Sequence, residues 1–168
     1  NDDSAPTIFS PAETEKLLHT AFMHDAGLIP YLAIGLFAGV RPMEIQRLRK
    51  RDLTDQYIEI TAAKAKTRKR RLVSISNNLN SWLKIGGELP PTNKPKRLSR
   101  VLQKADLEWK PDIMRHSFAS YHLAYHESAD KTALEMGHRD TNMLFRHYRE
   151  LVTKRDATNY WNIQFVDF

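Results

Sequence analysis

The segment Ile29-Pro-Tyr-Leu-Ala-Ile-Gly-Leu-Phe-Ala38 carries no charge and no polar face. A helix that is apolar all round is buried rather than laid on a surface. Even at its widest, from Gly27 to Val40, the stretch is too short to cross a bilayer, and it contains Pro30. It therefore predicts a central core helix, stopped by Gly39. Upstream, Ser10-Pro11 followed by Glu13 predicts a helix start. Ser caps, Pro takes the first helical position and Glu completes a capping box. Leu17, Leu18, Ala21 and Phe22 then form the inward stripe of an amphipathic helix that Gly27 ends.

Beyond the central helix, Pro42 starts a short helix with Met43, Ile45 and Leu48 as its apolar positions. Tyr57 to Thr61 alternates and is rich in β-formers, and Arg71 to Ile75 reads as a second strand. The two predict a hairpin with a charged tip. Asn77 and Asn78 cap a short helix through Trp82 and Leu83, and the Gly- and Pro-rich stretch 86–95 is a loop. Helices are expected over 97–105, with Leu98, Val101 and Leu102 inward, and over 113–125, 131–136, 142–148 and 155–161. The fold class is α+β, mainly α, with one small antiparallel sheet or hairpin.

The chain has 168 residues, 41% of them hydrophobic, which suits one compact domain and excludes a disordered chain. With no cysteine there is no disulfide, no thiolate metal site and no cysteine nucleophile. The first residues lack the layout of a secretory signal and an initial Met, so the chain reads as a piece of a longer one. Residues 1–9 read as a linker remnant and 153–168 as a C-terminal tail. The net charge of +6 points weakly to an anionic partner, so the position of the charges matters more than their sum.

Lys64, Lys66, Arg68, Lys69, Arg70 and Arg71 place six positive charges in eight residues. Such a run is either a solvated edge or a finger laid on a nucleic-acid backbone. Arg41 follows Gly39-Val40 at the end of the core helix, a rigid mount for a guanidinium fork that suits phosphate. Glu44 can hold it from behind, and in isolation the pair is as readily structural. Asp112 reads as a helix cap, with Arg115 and His116 in the first turns, where the helix dipole favours an anion. Between Met114 and Phe118, a charge at Arg115 needs an anion, an acid partner or a route to solvent. His138 follows Gly137, exposed or lining a cleft, and Tyr148 stands ten residues later. A lone Tyr is ordinarily core; as a nucleophile it needs cations that favour the phenolate. His122 and His126 lie one turn apart without a third ligand, so they read as the polar edge of a helix and no metal site is assigned. No Gly-rich phosphate loop and no Gly-x-Ser-x-Gly elbow is present.

The order of these elements resembles the catalytic domain of the tyrosine recombinases, the phage-integrase family, over Ser10 to about Trp161. Ala38-Gly-Val-Arg-Pro-Met-Glu-Ile45 is similar to the family's first arginine box, with Arg41 catalytic and Glu44 the acid behind it. Ala65 to Val73 resembles the hairpin of the catalytic lysine, with Lys66 the best match and Lys64 the fallback. Ile113 to Ala119 resembles the second arginine box, with Arg115 catalytic and His116 supporting. Met136-Gly-His138 matches the Leu-Gly-His box, and Tyr148 falls where the nucleophile belongs. Two features depart from the pattern. Asp112 stands where the second box usually opens with His, and the spacing from His138 to Tyr148 is one residue longer than is common.

The resemblance implies cleavage and rejoining of double-stranded DNA through a 3′-phosphotyrosine, with neither metal nor ATP and no cofactor. Arg41 and Arg115 would stabilise the phosphate, Lys66 would protonate the 5′-oxygen, and His138 would support the phosphate or a proton transfer. Lys64, Arg68, Lys69, Arg70 and Arg71 would contact the DNA backbone. It further implies tetramers on paired sites, a cytoplasmic protein of bacterial or phage or other mobile-element origin, no membrane partner, and an N-terminal DNA-clamping domain for which these residues leave no room. The apolar tail (Tyr160, Trp161, Ile163, Phe165, Phe168) would dock on its own body or on a neighbouring subunit. The alternatives are a non-catalytic DNA-binding module of the same fold, an enzyme similar to type IB topoisomerases, and a helical interaction protein with merely surface charge.

Overall fold

The computed structural model describes residues 6–138, 141–142, 148 and 151–166. Among them are eight helices: α1 Pro11–His24, α2 Ile29–Ala38, α3 Pro42–Ile45, α4 Asn77–Leu83, α5 Lys94–Ala105, α6 Ile113–His126, α7 Ala129–Met136 and α8 Lys154–Trp161. Short 3-10 turns cover Ala26–Leu28 and Lys50–Asp52. Strands β1 Tyr57–Ile60 and β2 Arg71–Ser74 pair antiparallel, with Ile58 opposite Val73 and Ile60 opposite Arg71. The helix expected over 142–148 lies mostly outside the described residues.

Every residue of α2 is buried. Helices α1, α3, α4 and α6 pack around it, so the apolar run is the axis of the domain. Its end is fixed by Gly39, which adopts φ +67. Ring atoms of Phe118 would lie 2.4 Å from a Cβ built there. The capping box at Ser10 and Glu13 forms as expected, and Leu17, Leu18 and Ala21 are buried. The C-terminal helix locks onto the same axis. Tyr160 stacks on Tyr121 at 4.0 Å between centroids and donates its hydroxyl to the carbonyl of Leu36.

Several local expectations change in three dimensions. Met43 is exposed, since the single turn of α3 directs Glu44 and Ile45 inward instead. The cap of α4 is Ser76, whose hydroxyl accepts from the Leu79 amide, rather than either Asn. Asp112 precedes α6 in a left-handed conformation (φ 58) and its side chain makes no capping bond. His122 is not at a polar edge. It is buried, packs on Phe118 at 4.9 Å, and is hydrogen-bonded to Thr132 at 2.6 Å. Burial first, then the charges of His126 and Lys131, push its pKa down to about 3. Phe9 is no linker residue: it is buried, its amide donates to Ser117, and its carbonyl accepts from Tyr121.

The described part of the tail packs on its own body. Trp82 donates to the carbonyl of Ile163 at 3.1 Å. Phe165 lies against Phe22 and Trp82, with its amide on Ser81 at 2.9 Å. No described helix is long and apolar enough to cross a membrane.

Gly39→Ala is expected to destabilise the domain by roughly 1–3 kcal/mol from left-handed backbone strain alone, and by more through the overlap with Phe118. Chemical denaturation of the variant checks this; an unchanged midpoint would contradict the close approach of α2 and α6.

Candidate active site

Five separate stretches of sequence meet at one cleft of about 470 Å³, lined by Arg41, Pro42, Met43, Lys66, Asp112, Arg115, His116, Met136, His138 and Tyr148. Each arrives on a fixed mount. Arg41 immediately precedes α3, just past the end of α2. Arg115 and His116 sit in the first turn of α6. His138 follows Gly137, the left-handed cap of α7. Tyr148 packs its ring into a second apolar cluster with Phe118, Ala119, Leu123, Ala129, Ala133 and Met136.

Arg115 is only 8% exposed. Among the described residues its hydrogen-bond partners are uncharged. It donates to the carbonyl of Gly39, reaches that of Met136 at 3.4 Å, and meets His138 Nε2 at 2.9 Å. Burial first, then repulsion from Arg41, pushes its pKa down to about 10, so it is still a cation at neutral pH. A buried cation supported only by carbonyls and a neutral ring favours an anion beside it. His138 feels the same field. Burial and the charges of Arg115, Arg41 and Arg71 push its pKa down to about 4. The ring is therefore neutral at pH 7. With Nε2 accepting from Arg115, its proton is on Nδ1, a buried atom without a partner among the described residues.

Glu44 is fully buried and organises the floor of the site. The expected partner was Arg41, but that guanidinium approaches only to 3.7 Å, and its Nη1 has no hydrogen-bond partner among the described residues. The carboxylate is taken instead by Arg71 at 3.0 and 2.8 Å, by the Lys66 amide at 3.0 Å and by the Arg41 amide at 3.2 Å. Burial raises the Glu44 pKa, but the hydrogen bonds and cations together outweigh it and hold the carboxyl below its ordinary value. Arg71, expected on the DNA-facing edge, is thus turned inward. Gly137 (φ +73) lies so close that a Cβ there would stand 3.0 Å from the Arg71 guanidinium.

The rest of the hairpin divides in two. Lys64 is paired with Asp52, off the cleft. Lys66, Arg68, Lys69 and Arg70 are exposed, Arg70 beside Glu59 at 3.2 Å, and of these Lys66 alone lines the cleft. Ser74 fastens β2 to α7, its amide and hydroxyl donating to Glu135 at 2.9 and 2.8 Å.

Tyr148 is 8% exposed, yet its hydroxyl is at the cleft, 2.5 Å from Nδ1 of His116. Burial pushes its pKa up to about 12; Arg115 opposes the shift and Asp112 adds to it. The Arg71–Glu44 and His116–Tyr148 contacts join residues far apart in sequence, and no local spacing announces either. Among the described residues, no group of three or more His, Asp or Glu side chains could hold a metal ion.

No family model matches the sequence, and no curated protein does. The fold does have solved counterparts. The crystal structure of XerA recombinase matches with a TM-score of 0.70 at 18% identity, over 87% of this chain and 61% of that one. The XerH site-specific recombinase, bound to its difH substrate in a pre-cleavage complex, matches with a TM-score of 0.65 at 20% identity, over 95% of this chain and 55% of that one. This chain therefore has the fold of a tyrosine-recombinase catalytic domain, and it spans less than two thirds of either counterpart.

Glu44→Gln is expected to lower stability by about 3–5 kcal/mol at neutral pH, because Arg71 and Arg41 lose a buried counter-charge. The folded pKa of Glu44 is depressed, so its contribution is complete above the unfolded value near 4.5 and is lost as pH falls through the lower folded value. The stability gap between wild type and variant should narrow below about pH 4.5, as read by denaturation at a series of pH values.

Proposed function

We propose that this chain is the catalytic domain of a tyrosine-type DNA recombinase, cleaving and rejoining double-stranded DNA through a 3′-phosphotyrosine. The observation that carries the reading is Arg115, a buried guanidinium with only neutral partners among the described residues, set in one cleft with Arg41, Lys66, His138 and the Tyr148 hydroxyl. An in-line attack on a phosphodiester needs donors where negative charge builds, a nucleophile on one side and an acid on the other.

In this reading the phosphate occupies the cleft. Arg41 Nη1 and the Arg115 fork take the non-bridging oxygens, and His138 donates from Nδ1. Tyr148 attacks phosphorus, the bond to the 5′-oxygen breaks, and Lys66 protonates the departing oxygen. The 5′-hydroxyl of a partner strand reverses these steps. Lys66 rather than Lys64 has this role, because Lys64 is occupied by Asp52 away from the cleft. Lys66, Arg68, Lys69 and Arg70 steer the backbone, whereas Arg71 acts through Glu44. Assembly of four copies on paired sites belongs to the same proposal. XerH has been crystallised on its DNA substrate, which supports DNA as the partner.

A second reading is a binding module that has lost turnover. Asp112 favours it, since a carboxylate at the cleft opposes phosphate and raises the Tyr148 pKa.

Covalent trapping separates the two. Suicide duplexes of randomised sequence, nicked so that the cleaved end diffuses away, should yield a denaturation-resistant protein–DNA adduct. Tyr148→Phe should abolish it. Arg115→Gln should reduce its rate by about 10²–10³, the usual effect of removing one oxyanion donor. Salt-dependent binding without any adduct would establish the binding module instead.

A further inference from the structure

We infer that His116 is a catalytic residue, the general base that takes the proton of Tyr148. The inference rests on the recombinase reading and gives a specific proton-transfer step to His116 of the second arginine box.

The nucleophile needs a base. With its ring buried and its pKa pushed up to about 12, Tyr148 is a phenol at neutral pH. Arg115 favours the phenolate, but Asp112 works against it and burial outweighs both. The position where an imidazole would open the second arginine box is occupied by that same Asp112, with its backbone left-handed and no side-chain cap bond. A second negative charge at the cleft cannot ease formation of a phenolate.

His116 stands one residue past Arg115. Neighbours on a helix diverge by about 100° around the axis, so the two side chains serve different sides of one cleft. Arg115 turns to Gly39, Met136 and His138, and His116 turns to Tyr148. Its Nδ1 lies 2.5 Å from the hydroxyl, and the two ring centroids are 5.7 Å apart. When Tyr148 donates, Nδ1 accepts and the ring proton is on Nε2. This is the arrangement from which a proton passes without any side-chain movement. His138, the other imidazole at the cleft, already accepts from Arg115 on Nε2 and so lacks a free lone pair for Tyr148.

The step balances. The Tyr148 oxygen forms a bond to phosphorus, its proton moves to His116 Nδ1, and the phosphorus–5′-oxygen bond breaks. In religation His116 returns the proton to Tyr148 as the phosphotyrosine bond breaks. Proton removal at the nucleophile and proton donation at the leaving group are thus divided between His116 and Lys66.

The p-nitrophenyl ester of thymidine 3′-phosphate isolates the first half. Its leaving group needs no proton, so Lys66 drops out, and no DNA target sequence is required. Wild-type protein should release nitrophenolate as Tyr148 becomes phosphorylated, with the adduct located by mass spectrometry and absent in Tyr148→Phe. His116→Asn keeps a polar group at the Nδ1 position and the contact with Tyr148, but cannot take a proton. Both it and His116→Ala should react about 10²–10⁴-fold more slowly, and added imidazole should restore much of the rate to His116→Ala. Equal rates in wild type and His116→Asn, with Tyr148 labelled in both, would overturn the inference and leave the recombinase reading standing. No label on wild-type Tyr148 would overturn that reading and the inference with it.

Discussion

The guanidinium of Arg115 is the point on which the site depends. It is nearly buried, charged at neutral pH, and supported by the ends of two helices rather than by a carboxylate. The carbonyl of Gly39 is free to accept because α2 stops there, and that of Met136 because α7 does. A helix leaves its last carbonyls without intrahelical partners, and Arg115 takes one from each. Its placement therefore requires both glycine caps, the packing of Phe118 over Gly39, and the burial of α2. Arg115 is where the apolar core and the candidate chemistry meet.

Glu44 plays the complementary part. It is a fully buried acid among cations, and it ties together three otherwise separate pieces: α3, the Lys66 backbone and β2. The Lys66 side chain thus leaves an anchored peptide even though it is itself exposed. The hairpin tip is exposed, while its base is held by Glu44 on one side and Glu135 on the other.

Most of this architecture was legible because it follows local rules. The all-apolar helix, the Ser10 capping box, the left-handed Gly39 and Gly137 and the alternating strands each depend on neighbours within a turn or two. The cleft residues were legible because their order matches a known pattern. What escaped was pairing at long range. Nothing near Arg71 distinguishes it from Arg70, yet one is turned inward onto Glu44 and the other is exposed beside Glu59. His122 looked like a surface residue because its buried partner, Thr132, belongs to the next helix. Asp112 looked like a cap from its place in the chain, but a left-handed backbone there leaves its side chain without a capping bond.

The same electrostatics link occupancy to protonation. At the cleft, burial first and then the charges of Arg115, Arg41 and Arg71 keep His138 neutral down to about pH 4. A phosphate among these groups reverses the sign of the local field. It relieves the desolvated arginines and raises the affinity of His138 for a proton. In the proposed reaction the same negative charge disfavours a phenolate at Tyr148, so a bound phosphate makes the proposed nucleophile harder to ionise. Transfer of the tyrosine proton to a neighbouring ring as the bond to phosphorus forms avoids a free phenolate. The contact between His116 and Tyr148 supplies such a route within the same helix turn that anchors Arg115.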